Sequence, residues 1–402
     1  MSSNNNNSSM QNSPCGQTHW GRDRLPHKQA SPGFSVWSIL KKCFGRELYK
    51  IAMPVEFNEP LSFLQRMTES FEYSELLEQA AVKDDPVERM KLVAAFAVAA
   101  LSSNLDRLKK PFNPLLAETF ELDRTKENGF RLICEQVSHH PPISAFHGES
   151  VNGGYIVEGC VNPRLKFWGR SVEIKPEGSV RVRFPKRDNE EYIWSNVDCC
   201  IHNIILGTLY FEQYGDQIIT CDKTDLQCRI NYKAANGPTD IQLHSLLGYI
   251  INKAGQKVAK ISGRWCHEVY TYSMAGEGGQ PLWQVKPRPP HSADYYNFTE
   301  MAMALNEMPR LDGGNSTRSA NGHLASTDSR FRPDIRLLEE GDLNGASAEK
   351  HRLEEKQRET RKARGKNAEW KPLWFEKISD TYFRYLGGYW DRPVDMLLPD
   401  IY

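Results

Sequence analysis

The chain lacks a charge imbalance. Its 402 residues carry 51 Lys+Arg and 51 Asp+Glu, which excludes a chain-wide basic field for nucleic acid and an acidic, solvating composition. A long apolar run is also missing. The longest, residues 92–101, falls well short of the ~18 residues that cross a bilayer and fits a buried helix. No hydrophobic stretch near the N-terminus resembles a signal peptide. No repeat of ~20–50 residues is present, which argues against propellers and solenoids. Nine cysteines are scattered without a pattern; Cys199-Cys200 cannot form an ordinary zinc pair, and Cys221 and Cys228 lack a second pair. A cytosolic chain of reduced thiols is expected, with no metal and no cofactor.

Residues 1–32 are polar and low in complexity, opening on an Asn/Ser run. They bury too little to offset their ordering entropy, so a disordered tail is expected. Across residues 33–52 the apolar positions are Phe34, Trp37, Leu40, Phe44, Leu48 and Ile51, interleaved with Lys41, Lys42, Arg46 and Lys50. Steps of three and four make this a basic amphipathic element. Helices are expected over 61–73, 74–83 and 86–103, the first starting after Asn58 and the last opening on Pro86 behind Asp85.

Beyond Asn113-Pro114 the period changes to two. Val180-Arg181-Val182-Arg183-Phe184 is one example, expected to follow Val172-Glu173-Ile174 across a turn at Pro176-Glu177-Gly178. Short strands between such turn signals predict an antiparallel sheet, sandwich or barrel. Residues 312–330 read as an exposed Gly/Asn/Ser/Thr loop, and 348–366 as a charged helix.

Three polar groupings are candidate sites. Glu135-Gln136-Val137-Ser138-His139-His140-Pro141-Pro142 sets two imidazoles in a proline-stiffened loop, suited to an anion or a metal. No third ligand stands at a zinc-like interval, and Ser138 has no nucleophile-elbow context. Ordinary loop histidines are the plain alternative. Lys109, Lys110 and Asn113 lie where helix gives way to strand and could hold a phosphate, or could line a solvated turn. Lys350, Glu354 and Arg358 share one helix face, with salt-bridge decoration as the bland reading.

The eight residues from Glu135 to Pro142 resemble the fingerprint of the oxysterol-binding-protein-related family of lipid-transfer proteins. Lys110-Pro111-Phe112-Asn113-Pro114-Leu115-Leu116-Ala117-Glu118 is similar to a second family segment, with Ala117 in place of the usual Gly. The Leu353-Glu354-Glu355-Lys356-Gln357-Arg358 core and the end of the chain are similar too, the latter to short animal members without a pleckstrin-homology domain.

The resemblance implies a mainly β (α+β) fold over 33–402. A nearly closed antiparallel β-barrel (114–310) would surround a hydrophobic tunnel, preceded by a lid (33–52) and helices (61–103). The tunnel would take a sterol, cholesterol or an oxysterol. Alternatively it would take a phosphoinositide, phosphatidylinositol 4-phosphate or 4,5-bisphosphate. Lys110, Asn113, His139, His140, Lys350, Glu354 and Arg358 would bind the headgroup, and the lid lysines would meet anionic membranes. The expected function is exchange of these lipids between membranes, with no catalytic residue, and with a lipid sensor or scaffold as the alternative. Location would be cytosolic and peripheral, at endoplasmic reticulum, endosome, plasma-membrane or Golgi contacts. The family's usual endoplasmic-reticulum receptor motif, two Phe in an acidic stretch, is not seen, so the chain reads as a short form without a targeting half.

Overall fold

A computed structural model describes residues 20–29, 53–204, 206–276, 278–309, 323–365 and 370–402. All six expected lid positions, Phe34 to Ile51, lie outside the described residues.

The chain first forms β1 (Asn58–Ser62), α1 (Phe63–Thr68), α2 (Glu75–Ala81) and α3 (Pro86–Ala99). α1 starts later than expected. Asn58–Ser62 pairs in parallel with β2 (Lys110–Phe112) instead, and the Ser62 N–H donates to Gln65 Oε1 at 2.8 Å. α3 opens as its sequence dictates: Asp85 accepts from the Val87 N–H at 2.8 Å with Pro86 in the first turn. From Met90 to Ala99 only Lys91 escapes burial. A helix apolar on nearly every side belongs inside, and α3 fills the core against the sheet.

The main sheet follows: β3 (Thr119–Arg124), β4 (Phe130–His139), β5 (Pro142–Ser150), β6 (Ile156–Phe167), β7 (Val172–Glu177), β8 (Val180–Phe184), β9 (Glu190–Trp194), β10 (Asp198–His202), β11 (Tyr210–Cys221), β12 (Leu226–Tyr232), β13 (Ser245–Ile251), β14 (Lys257–Arg264), β15 (Glu268–Tyr272) and β16 (Gln280–Gln284). These fourteen strands form one antiparallel sheet. Alternation is clean where one face is wet, as in β8 and β9. β4 shows none because both its faces are buried. Trp374, Phe375, Tyr389 and Trp390 cover its outer side over Ile133 and Val137.

The expected turn at Pro176-Glu177-Gly178 is a kink and not a reversal. β6 pairs with β7 from Phe167 back to Asn162, then with β8 from Gly159 back to Ile156. At the kink Gly178 has φ +123°, and a Cβ there would lie 2.1 Å from the Cys160 carbonyl oxygen. Only glycine lets the strand bend this close to its neighbour.

After the sheet come α4 (Glu300–Ala304), α5 (Pro333–Glu339), α6 (Leu343–Arg364) and the hairpin of β17 (Phe375–Ser379) and β18 (Tyr382–Tyr385). Two expectations fail here. Of the supposed exposed loop 312–330, residues 327–330 are buried: Thr119 N–H donates to Thr327 O at 2.9 Å, and Arg330 is enclosed with Asp328. The supposed tail also contributes structure. Trp20 and Leu25 are buried, Trp20 lies against Arg124, and Arg22 pairs with Glu339. Two apolar side chains in a polar stretch are enough to dock it. α6 starts at Leu343, ahead of the expected 348. All seven described cysteines are free thiols.

Candidate functional site

One cavity of about 1010 Å³ runs through the interior. Its walls are apolar along most of their length: Phe96, Phe146, Val157, Leu165, Trp194 and Phe211 contribute. At one side the lining becomes polar. Lys110, Asn113, His139, His140, Lys350, Glu354 and Arg358 all line this cavity. They come from three segments far apart in sequence: β2 and the loop after it, the β4–β5 turn, and α6.

Lys110 is placed by β2, whose carbonyls at Lys110 and Pro111 accept from the Asn58 amide at 3.3 and 3.1 Å. Its ammonium is held down to about 8, first by burial and then by Lys350 across the cavity. A desolvated cation facing another cation is short of negative charge. Asn113 is exposed at the rim, with its carbonyl accepting from Arg332 Nη1 at 3.0 Å.

The histidine motif is not the open loop that its prolines suggest. Glu135–His139 completes β4, Pro142 begins β5, and only His140-Pro141 makes the turn, through a cis peptide. His140 is exposed, and the two imidazoles meet edge to face with centroids 4.6 Å apart. His139 Nε2 lies 2.6 Å from the Gln357 amide nitrogen, whose amide oxygen accepts from the Leu116 N–H at 2.9 Å. Gln357 therefore donates to His139, which leaves the proton of a neutral ring on Nδ1. Nδ1 is buried and makes no hydrogen bond of normal geometry. Burial, then His140, pushes the His139 imidazole down to about 4, with the Pro114 backbone offsetting part of this. His139 is therefore held neutral, with Nε2 accepting from Gln357 and the ring proton on Nδ1.

Asp342 caps the start of α6, its side chain accepting from the Gly345 N–H at 2.9 Å. Leu353 and Ala346 bury one face of it. Lys350, Glu354, Gln357, Arg358 and Arg361 form the stripe that faces the cavity. Lys350 Nζ sits 2.6 Å from Glu354, and Arg358 4.0 Å from it. The helix carries the expected salt bridge, and the same three side chains line the cavity.

Sequence reasoning missed Arg332, Gln357 and Arg361. Gln357 and Arg361 were available from the α6 stripe, being one and two turns on from Glu354. Arg332 gives no local signal. It is buried, shared between Glu118 at 2.8 Å and Asp334 at 2.7 Å, and acts by holding the Asn113 loop. Glu135, first residue of the motif, does not face the cavity contents. It accepts from the Leu373 and Trp374 N–H groups at 2.8 and 2.9 Å, pinning the C-terminal segment to β4, and burial holds its carboxyl up to about 7.

Among the described residues no cluster of His, Cys, Asp and Glu has metal-holding geometry, and no helix is long and apolar enough to cross a membrane. An apolar cavity with a cationic, hydrogen-bonding rim defines a binder of amphiphiles, with room for an apolar body inside and a place for an anionic head. The family model described as "Oxysterol-binding protein" matches residues 35–393, and the chain belongs to that family.

It is 45% identical to human oxysterol-binding protein-related protein 1 over 95% of this chain and 44% of that protein, so it spans under half of that relative's length. It is 42% identical to mouse oxysterol-binding protein-related protein 2 over 92% and 85% of the two chains. Among solved structures it resembles the Osh1 ORD domain in complex with cholesterol (TM-score 0.80, 34% identity, 92% of this chain and 91% of that one). It also resembles the Osh3 ORD in complex with PI(4)P from Saccharomyces cerevisiae (TM-score 0.77, 36% identity, 91% and 93%). The family is described as oxysterol-binding, and the fold is that of ORD domains solved with cholesterol and with PI(4)P.

Proposed function

We propose that this chain is an intracellular lipid-transfer protein, exchanging a sterol, cholesterol or an oxysterol, for a phosphoinositide between membranes. The sheet wraps the cavity as a nearly closed barrel. One observation carries the reading: the apolar cavity and the cationic rim are one space, lined together by Phe146 and Trp194 and by Lys110, His139, Lys350 and Arg358. A sterol uses the apolar part. A phosphoinositide lays its acyl chains there and its phosphates on Lys110, Lys350 and Arg358, with Asn113, His139 and His140 as further donors and Glu354 accepting from an inositol hydroxyl. Charge-assisted donors in a partly desolvated site bind phosphate strongly. The two cargoes share one volume, so loading is mutually exclusive. Direction then follows the gradient of the counter-lipid between cytosol-facing membranes.

The test is exchange between donor and acceptor vesicles, one carrying fluorescent sterol and the other phosphatidylinositol 4-phosphate or 4,5-bisphosphate. Sterol transfer accelerated by the phosphoinositide is expected. Binding of both lipids without accelerated exchange would make the chain a sensor or scaffold instead.

A further inference from the structure

Two neighbouring hairpin tips hold apolar side chains in solvent. β6 runs into Trp168-Gly169-Arg170-Ser171 before β7 returns, and β10 runs into the 203–209 loop before β11. β7 pairs with β10, so both tips lie at one end of the sheet, and the Ile204 N–H donates to Arg170 O across them at 3.1 Å. Trp168 is 54% exposed, Leu206 75% and Leu209 37%. The indole is nonetheless held in place. Its Nε1–H donates to Glu173 at 3.1 Å, and the Lys166 ammonium lies 4.1 Å from its ring centroid.

Scattered exposed apolar residues need no explanation, but several on adjoining tips do. Below them Phe167 and Val172 are buried with Met53. Leu165, Val172, Ile204 and Leu209 line the cavity. Leu209 belongs to both sets, so the apolar lining continues onto the exposed tip. Lys166 and Arg170 stand exposed beside the indole.

We infer that these two tips form a docking edge for an anionic lipid bilayer, with Trp168 and Leu206 entering its interfacial layer and Lys166 and Arg170 meeting lipid phosphates. Three observations select a bilayer over another occupant. An indole with an apolar body and a hydrogen-bonding edge is at home in the headgroup layer. The flanking cations match an anionic surface. The apolar surface joins the cavity, so an amphiphile leaving it would pass from wall to bilayer without crossing water. This last point rests on the reading of the cavity as a lipid site.

The test compares the full chain with Trp168→Ala/Leu206→Ser and with Lys166→Glu/Arg170→Glu. All four positions are exposed, so thermal unfolding serves as the check that folding is intact. Affinity is measured for phosphatidylcholine vesicles with and without phosphatidylserine. Sterol loading is measured from those vesicles and, separately, from cyclodextrin. The apolar variant is expected to lose about tenfold or more in vesicle affinity and to load more slowly from vesicles, while loading normally from cyclodextrin. The charge variant is expected to lose the preference for phosphatidylserine. Unchanged vesicle affinity in the apolar variant would overturn the inference. So would faster sterol loss in buffer without vesicles, which would mean that the tips are covered by the chain itself. A changed oligomeric state with unchanged vesicle affinity would overturn it in favour of a second copy. Should sterol load from neither carrier, the cavity reading fails, and the vesicle affinities still decide the docking edge.

Discussion

Gln357 and His139 share a 2.6 Å hydrogen bond whose direction is set from its far side, because Gln357 Oε1 is already occupied by the Leu116 N–H. This couples α6 to the histidine motif through a single amide. Gln357→Glu keeps the acceptor for Leu116 but removes the donor. His139 would then gain a carboxylate partner, and its imidazole should rise from about 4 toward or above its ordinary value. Proton titration of the ring by NMR checks this. A ring still neutral at pH 5 in the variant would mean that burial and His140 outweigh the new carboxylate.

Lys110 should be worth more to binding than to folding. Its ammonium titrates near 8 in the folded chain, against ~10.4 unfolded. The folded state therefore holds fewer protons between these values. Stability is highest above ~10.4, falls as pH drops through that window, and levels off below about 8. Lys110→Met should raise stability at neutral pH by about 1 kcal/mol, after allowing for partial exposure, and this gain should vanish at high pH. The same change should weaken phosphoinositide extraction by roughly 1.5–3 kcal/mol. Denaturant melts at two pH values and vesicle extraction assays test the two halves separately.

Arg358 and Arg332 both line the cavity and should behave in opposite ways. Arg358 is exposed and 4.0 Å from Glu354, so Arg358→Ala should leave stability within about 0.5 kcal/mol. It should still weaken phosphoinositide binding. Arg332 is buried between two carboxylates, and Arg332→Met should cost about 3–5 kcal/mol by stranding them. Thermal unfolding beside sterol loading separates these cases. Normal stability in Arg332→Met would remove its positioning role.

Ala117 occupies a glycine's conformation. Its φ is +71° and its side chain is buried, with its N–H bound to Gln136 O at 3.1 Å. For an L-residue this region costs ~1–2 kcal/mol, while glycine gives back part of that as unfolded-state entropy. Ala117→Gly should stabilise the chain by roughly 0.5–1 kcal/mol and leave lipid binding unchanged. A loss of stability would show that the buried methyl contributes more packing than the backbone strain removes.

The sequence made some of this legible and hid the rest for physical reasons. α3 is readable because Asp85-Pro86 marks its start and its apolar run has nowhere to go but inside. β4 is not, since burial on both faces erases the alternation that announces a strand. Trp20 and Leu25 are too few to register against a polar composition, yet two side chains with good partners suffice to anchor a short segment. At the site, motif resemblance points to Lys110, His139, Lys350, Glu354 and Arg358, all of which line the cavity. It cannot give their protonation, because the depressed state of His139 comes from burial and from its neighbour. Arg332 is invisible until the Asn113 loop and Glu118 are brought to it by folding.

The cavity also bears on the lifetime of the chain. Protein interiors are packed nearly as densely as organic crystals, and a space of about 1010 Å³ is core that no side chain fills. On the proposed reading, a bound lipid would be the last piece of the hydrophobic interior. Anything that binds only the folded form stabilises it by mass action, so on this reading an unloaded chain would be the less stable one. Lipid supply would then govern how much of the protein survives proteolysis, and abundance itself would report whether its membranes hold something to carry.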